Sequence, residues 1–368
     1  MNAPLNNPAA AQSYAAAPNV LVGAGAAAGA NVVGGGGVGV VVFDAGVGAS
    51  AGPALRAAPA GAPLVYAAPP RIARAHGALA TSIGASVVEL KSDAAALGRI
   101  LNAGYRRLKK AAPDVAYVQY VAADAALDAR WIERAAAFMA RRPEVAVVEG
   151  ESDCRESRRT PVSRALALAG RDVAPGEIVA AGPTFLVRAA AFEAAGGFRG
   201  AAPGVEVADL CIRLRKRGAH VWRLDAPMAV VEPLARTWRD WLAAAAQRGH
   251  EYAVGAALHG GAPEQFRINE QARAMVWGGL VPLFVTLAAA FGAASAAIFG
   301  DDGAPWRIAI AMLGLGVAAY AARIVATAFR RGAGRFASWR FAALVPLGHF
   351  AEFAGVARAW LGAASRSR

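Results

Sequence analysis

The chain has 368 residues, 56% of them hydrophobic and 18% charged, with a mean hydropathy of +0.35; it is too apolar for a disordered polypeptide and too charged for a many-spanning transporter. Two cysteines, Cys154 and Cys211, exclude a disulfide framework or a cysteine metal cage and suit a reducing compartment. The formal charge of +13 does not indicate nucleic acid, because 35 of the 39 basic residues are Arg, the chain is rich in Ala and Gly, and no aromatic residues interleave the basic runs.

Residues 1–55 contain no Lys or Arg and one acid, Asp44, so they lack the basic start of a secretory signal. Residues 1–17 read as a disordered tail and GGGG at 34–37 as a flexible joint, which together give an Ala/Gly-rich segment over 1–37. Within it, NVLVGAGAAAGA at 19–30 has the G-x-G-x-x-x-G look of a dinucleotide site, with Asp44 at the distance of a ribose-binding acid. The helix that should follow must run through Gly34 to Gly37, at about 1 kcal/mol per glycine relative to Ala. A dinucleotide-binding protein is therefore the weaker alternative.

From residue 38 to 235, short β-rich runs alternate with helical ones. Strands are predicted at 38–43, 63–67, 86–90, 117–121, 145–149, 185–188 and 220–224, with helices over 71–84, 95–111, 128–142 and 188–197. Strand and helix in alternation predict an α/β sandwich around a mainly parallel sheet.

After Arg267 come 11 Arg, counting Arg267 itself, against 4 acids, so this stretch holds +7 of the total charge. Ala274 to Gly300 is 27 residues without a charge, longer at about 1.5 Å per residue than the roughly 30 Å hydrocarbon core. Trp306 to Phe329 is a second apolar run, with Arg323 about two turns from its end, within reach of the headgroups by snorkelling. The turn at 300–305 is acidic and the segment at 330–335 basic, which places the N-terminal domain and the Arg-rich segment in the cytoplasm of a bacterial inner membrane. Phe341 to Leu361 carries His349, Glu352 and Arg358 and reads as an amphipathic helix lying in the interface. Trp238 and Trp241 read as anchors of a helix at the membrane surface, and Arg106, Arg107, Lys109 and Lys110 as a solvated helix face.

Several stretches together resemble family 2 glycosyltransferases of the GT-A fold. They are APDVAYVQYVAADAALDARWIERAAAFMARRPEVAVVEG at 112–150, FLVRAAAFEAAGGFRG at 185–200 and VEVADLCIRLRKRGAHVWRLDAPM at 205–228. Upstream, VGVVVF, LVYAA, GASVVEL and NAGYRRL are similar to the family's first strands and the helix bearing its N-x-G step. The likeness covers about residues 38–260, leaving 261–368 as the membrane region. It implies a sugar transferred from a nucleotide donor to a lipid-linked or polysaccharide acceptor, with Mg or Mn if the protein is active. Carried over by position, it makes Asn102, Asp124, Gly182 and Arg248 donor-binding candidates, Asp124 a metal candidate, and Glu206 and Asp209 candidate catalytic acids.

The same resemblance exposes departures at five positions. The D-x-D element reads Ala122-Ala123-Asp124, and the uridine-binding acid falls at about Ala68. The base position is Val207, a metal-shell histidine is replaced near Val231, and Ala243 and Ala244 stand where diphosphate-facing Arg residues are usual, leaving Gln247 and Arg248. Valine takes no proton, and loss of a general base costs about 10²–10⁴-fold in rate. The residues thus imply a pseudo-glycosyltransferase acting as partner or scaffold to another enzyme of cell-surface glycan or glycolipid assembly. An active enzyme with a reduced metal site is the alternative. The surviving residues keep plain readings too: Asp124 as a cap or loop acid, Glu206 or Asp209 as caps of the helix after them, Arg248 as a headgroup contact, and Cys211 as a small buried residue.

Overall fold

The computed structural model describes residues 37–46, 51–93, 96–154, 174–200, 202–231, 237–299, 304–330 and 336–366. The expected tail and the glycine-rich stretch at 19–30 lie outside the described residues, as do most of the acidic turn and of the basic segment.

The sheet runs β3 (Ser86–Glu89), β2 (Leu64–Ala68), β1 (Val38–Phe43), β4 (Tyr117–Ala122), β8 (Phe185–Arg188), β6 (Val145–Cys154), β9 (His220–Val231), β5 (Ala125–Leu127), with β7 (Gly176–Glu177) also paired to β9. Pairing is parallel from β3 to β4, which are the strands predicted first. Beyond β4 the sheet is mixed: β8 is antiparallel to both its neighbours and β6 is parallel to β9. Parallel pairing thus predominates, as expected, running from β3 to β4 and again between β6 and β9, with antiparallel strands set among them.

β1 and β4 are buried along their whole length, as strands covered on both faces must be, and this explains why Val and Tyr dominate them without alternating with charged residues. The helix α3 (Leu97–Ala111), which follows α1 (Gly52–Arg56) and α2 (Pro70–Ser82), lies directly on β1. Two glycines permit that approach: a Cβ on Gly39 would sit 2.6 Å from Leu108 Cδ2, and one on Gly104 would sit 2.5 Å from Val41 Cγ1. Behind β4 and β6, α4 (Trp131–Arg141) buries Trp131, whose indole N–H donates to Gln119 Oε1 at 2.8 Å. Gln119, fully buried, in turn donates to the Tyr120 carbonyl at 2.8 Å, so a polar pair inside the sheet is satisfied.

The remaining described elements are α5 (Ala189–Ala194), α6 (Glu206–Arg215) and, toward the C-terminal end, five α-helices and a π-helical turn. α7 (Trp238–His259) begins with a reciprocal capping box between Thr237 and Asp240. α8 (Ile268–Met275), a π-helical turn at Val276–Leu280 and α9 (Val281–Phe299) form one continuous rod. α10 (Ala304–Arg330) returns beside it, and α11 (Phe336–Arg366) closes the chain. Two of these rods, Ile268–Ile298 and Trp306–Arg330, are long and apolar enough to cross a membrane. The first starts six residues before the predicted run, because polar residues such as Glu270 and Gln271 extend the same helix.

α11 does not lie apart on a surface. Its backbone touches α7 and the π-turn through glycines, since a Cβ on Gly249 would fall 1.8 Å from the Glu352 carbonyl oxygen and one on Gly278 2.0 Å from that of His349. Trp241, the expected surface anchor, is buried with Gly348 of α11 opposite its ring, while Trp238 stays exposed. Arg323 turns inward to His349 instead of reaching outward along the helix.

Candidate functional site

In an open α/β sheet, ligands bind outside the carboxyl ends of the strands where the strand order reverses. Here the order reverses between β1 and β4, whose ends are level because Phe43 pairs with Ala122. Asp44 follows β1 and Asp124 follows β4, so the two acids flank that crevice. Asp44 is already committed. The backbone N–H of Gly46 donates to its Oδ1 at 2.9 Å, and the Tyr66 hydroxyl donates to its Oδ2 at 3.4 Å. Burial and the Asp44 charge together hold the Tyr66 phenol well above its usual range, so it remains a donor. The carboxylate weighed as a ribose ligand thus closes the turn after β1.

The β4 end is fixed through its backbone. Ala122 N–H donates to Thr184 Oγ1 at 3.2 Å and Ala123 N–H to the Phe43 carbonyl at 3.0 Å, and both side chains are buried methyl groups. Asp124 is half-buried and engaged by a neighbour. A hard divalent cation needs several oxygen ligands, and the end of β4 offers one carboxylate beside two methyls, with Asp44 across the crevice already bonded to Gly46 and Tyr66. Among the described residues no group of three or more His, Cys, Asp or Glu is placed to hold a metal ion. Among the described residues, the donor set does not fit Mg or Mn of the expected kind.

The second half of the site is the start of α6. Val205 is its N-cap residue and no side chain caps it, so neither Glu206 nor Asp209 has the capping role considered for it. Glu206 instead points toward the start of α3, where its Cγ stands 3.2 Å from the place a Cβ on Gly98 would take. Burial pushes its carboxyl above the ordinary value and the Asp209 charge adds to this, while the backbone N–H groups of Glu206, Gly98 and Gly204 oppose it. Its Oε2 is buried without a hydrogen-bond partner. Val207, at the base position, is buried among core side chains.

Asp209 serves a tie. It takes Arg213 Nε at 2.9 Å on one oxygen and His259 Nε2 at 3.0 Å on the other, and Arg213 also donates to the carbonyls of Ala195 and Gly197. One buried carboxylate therefore joins α6, the glycine turn after α5 and the end of α7.

The other candidates are placed apart from this edge or occupied. Asn102 spends both amide atoms on Phe198, donating to its carbonyl at 2.8 Å and accepting its N–H at 3.1 Å. Gly182 gives its N–H to Glu149 Oε2 at 2.6 Å. Arg248 Nε lies 3.6 Å from Glu352 Oε1 of α11. Arg106, Arg107 and Lys110 are exposed, as a solvated face requires, and burial pushes the Cys211 thiol up to about 12, that of an inert core residue.

Three residues escaped the sequence reading. Glu149 is buried on β6 with Arg223 Nη1 at 3.1 Å, and burial raises its carboxyl despite that partner. His259 holds Asp209. Glu251, on α7, faces Gly204 and is raised by burial, with the Glu206 charge adding to it and Gln247, Arg267 and Arg248 opposing. The only sequence signal for Glu251 was its i, i+4 spacing from Gln247, whose amide donates to it at 3.2 Å.

No family model matches the chain, and no curated protein matches it. Among solved structures it is similar to the mannosyltransferase PcManGT from Pyrobaculum calidifontis, determined in complex with GDP-Man and Mn2+, at 18% identity and a TM-score of 0.50 over 87% of this chain and 86% of that one. S. aureus TarS 1-349 aligns over 87% of this chain and 91% of that one at 11% identity and a TM-score of 0.40. Its complex with UDP-GlcNAc aligns over the same shares at 10% identity and a TM-score of 0.39. The mixed α/β core is a glycosyltransferase fold.

Proposed function

We propose that the chain is a membrane-anchored family 2 glycosyltransferase-like protein that has lost catalysis and serves as a partner or scaffold in cell-surface glycan or glycolipid assembly. Residues 38–260 form its glycosyltransferase-like domain on the cytoplasmic face of a bacterial inner membrane, and 261–368 hold it there through the apolar hairpin. The observation that carries this reading is the pair Ala122 and Val207. Methyl-bearing, buried side chains stand where a metal ligand and a base are needed, and the crevice acid Asp44 is bonded internally. The charge pattern of the turn and of the segment after the hairpin supports the orientation.

The test is a thermal-shift screen of the full chain with nucleotide sugars, with and without Mn²⁺. A competent site at about 100 times its Kd gains roughly 2.7 kcal/mol, and the scaffold reading expects no shift from any donor. It also expects stoichiometric co-purification with an active enzyme, unchanged by Asp124→Ala. Sugar transfer above an empty-membrane control would overturn it.

One observation favours the alternative of an active transferase with a reduced metal site. Glu206 adjoins Val207, is raised by burial and has a free buried oxygen, the properties of a carboxyl poised to take a proton. Under that reading Glu206→Gln abolishes transfer while leaving donor binding intact.

A further inference from the structure

Where the apolar hairpin meets the rest of the chain, its two helices share a seam with α11 that is lined by arginines. Arg323 of α10 sits 4.6 Å over the Trp277 ring and reaches His349 Nε2 with its Nη2 at 2.9 Å. A guanidinium only donates, so His349 Nε2 is the acceptor and the imidazole proton lies on Nδ1, which donates to Glu352 Oε2 at 2.9 Å. The other oxygen of Glu352 faces Arg248. That carboxylate is divided between His349 and Arg248, and neither oxygen contacts Arg323.

Helical spacing brings two more guanidiniums to the seam. Arg273 is about one turn before Trp277, and Arg330 about two turns after Arg323. The helices run antiparallel, as the contacts of Trp277 with Tyr320 and of Val285 with Gly316 require. Both arginines therefore fall on the same side of the Trp277–Arg323 pair, at the end where the hairpin joins the chain. Both are exposed and are charged neighbours of Arg323. The nearby Arg267 is paired with Glu270 at 2.9 Å, and Glu251 takes the Gln247 amide. The three cations are thus charged neighbours on one seam, the nearby carboxylate of Glu352 being held by His349 and Arg248, and exposed Leu280, Phe284 and Phe329 lie on the same rods.

We propose that this seam binds the phosphate headgroup of an anionic membrane lipid through Arg273, Arg323 and Arg330, with the acyl chains along the exposed apolar side chains next to it. The inference rests on the membrane-anchoring reading. A lipid is favoured over free phosphate because the charged seam opens onto an apolar face.

The experiment uses the full chain in phosphatidylcholine bilayer discs, with phosphatidylglycerol titrated in and the thermal midpoint read. Phosphatidylglycerol should raise the midpoint of the wild type and of R106Q/R107Q, which removes the same formal charge from α3. R273Q/R330Q should need about 30-fold more of it, two contacts of about 1 kcal/mol each. R273K/R330K should regain part of the response. An unchanged response in R273Q/R330Q overturns the proposal, as does an equal shift produced by inorganic phosphate without phosphatidylglycerol. A chain released from membranes by a carbonate wash overturns the anchoring reading as well; one that embeds firmly but ignores phosphatidylglycerol overturns only the lipid site.

Discussion

The crevice between β1 and β4 and the seam between α10 and α11 treat polarity in opposite ways. At the crevice, positions expected to be acidic are Ala122 and Val207, and the local shape is kept by backbone bonds such as Ala123 N–H to Phe43 carbonyl. In the seam, charged residues are retained in an otherwise apolar region and pair through His349 and Glu352. A strand edge built from main chain keeps its shape whatever side chains it carries. Buried charges survive only with partners, since an unpaired one costs several kcal/mol.

The largest expected effect probes that second rule inside the domain. Asp209→Ala leaves Arg213 and His259 buried without their anion and should cost about 3–5 kcal/mol in denaturant unfolding. A loss below about 1 kcal/mol would mean the tie among α6, α7 and the glycine turn is dispensable. Next comes Gly249→Ala, which drives a methyl into the Glu352 carbonyl and should cost about 1–3 kcal/mol, seen as a lower midpoint in detergent. An unaltered midpoint would show that α7 and α11 pack less tightly than their backbones suggest.

Glu206→Gln tests the crevice side through pH. The folded carboxyl is raised above its ordinary 4.5, so the native state holds the proton longer than the unfolded chain does. Stability from this group is present in acid and falls as pH rises from the unfolded value through the folded one. The Gln variant should therefore gain stability over the wild type progressively above about pH 4.5, by roughly 1.4 kcal/mol for each tenfold difference in proton affinity between the two states. A gain that stays flat with pH would place Glu206 in water. The smallest effect is at Cys211, whose buried thiol should resist maleimide in the native protein and react only on unfolding.

The fold was largely legible because most strands open on runs rich in Val and aromatic residues, and all seven predicted strands are present within a residue at their starts. The two missed, β5 and β7, have three and two residues, too few for any periodicity. β6 and β9 run longer than predicted because register shifts near Gly150 break their alternation. The candidate site was legible in residue type but not in partner. Nothing in the N-A-G step announces that Asn102 is bonded to Phe198, 96 residues away, or that Asp209 meets a histidine 50 residues on. Sequence likeness nominates the positions; only geometry shows which side chains are already spent.

The glycine contacts between α7 and α11 have a mechanical consequence. Gly249 meets the Glu352 carbonyl, and Gly355 meets that of Ala246, so the two rods interlock main chain to main chain with no pliable side chain as cushion. Such a joint transmits tilt without slack. If the hairpin spans a bilayer as proposed, a change in its tilt would carry α7, and through His259 and Asp209 the start of α6, along with it as a lever.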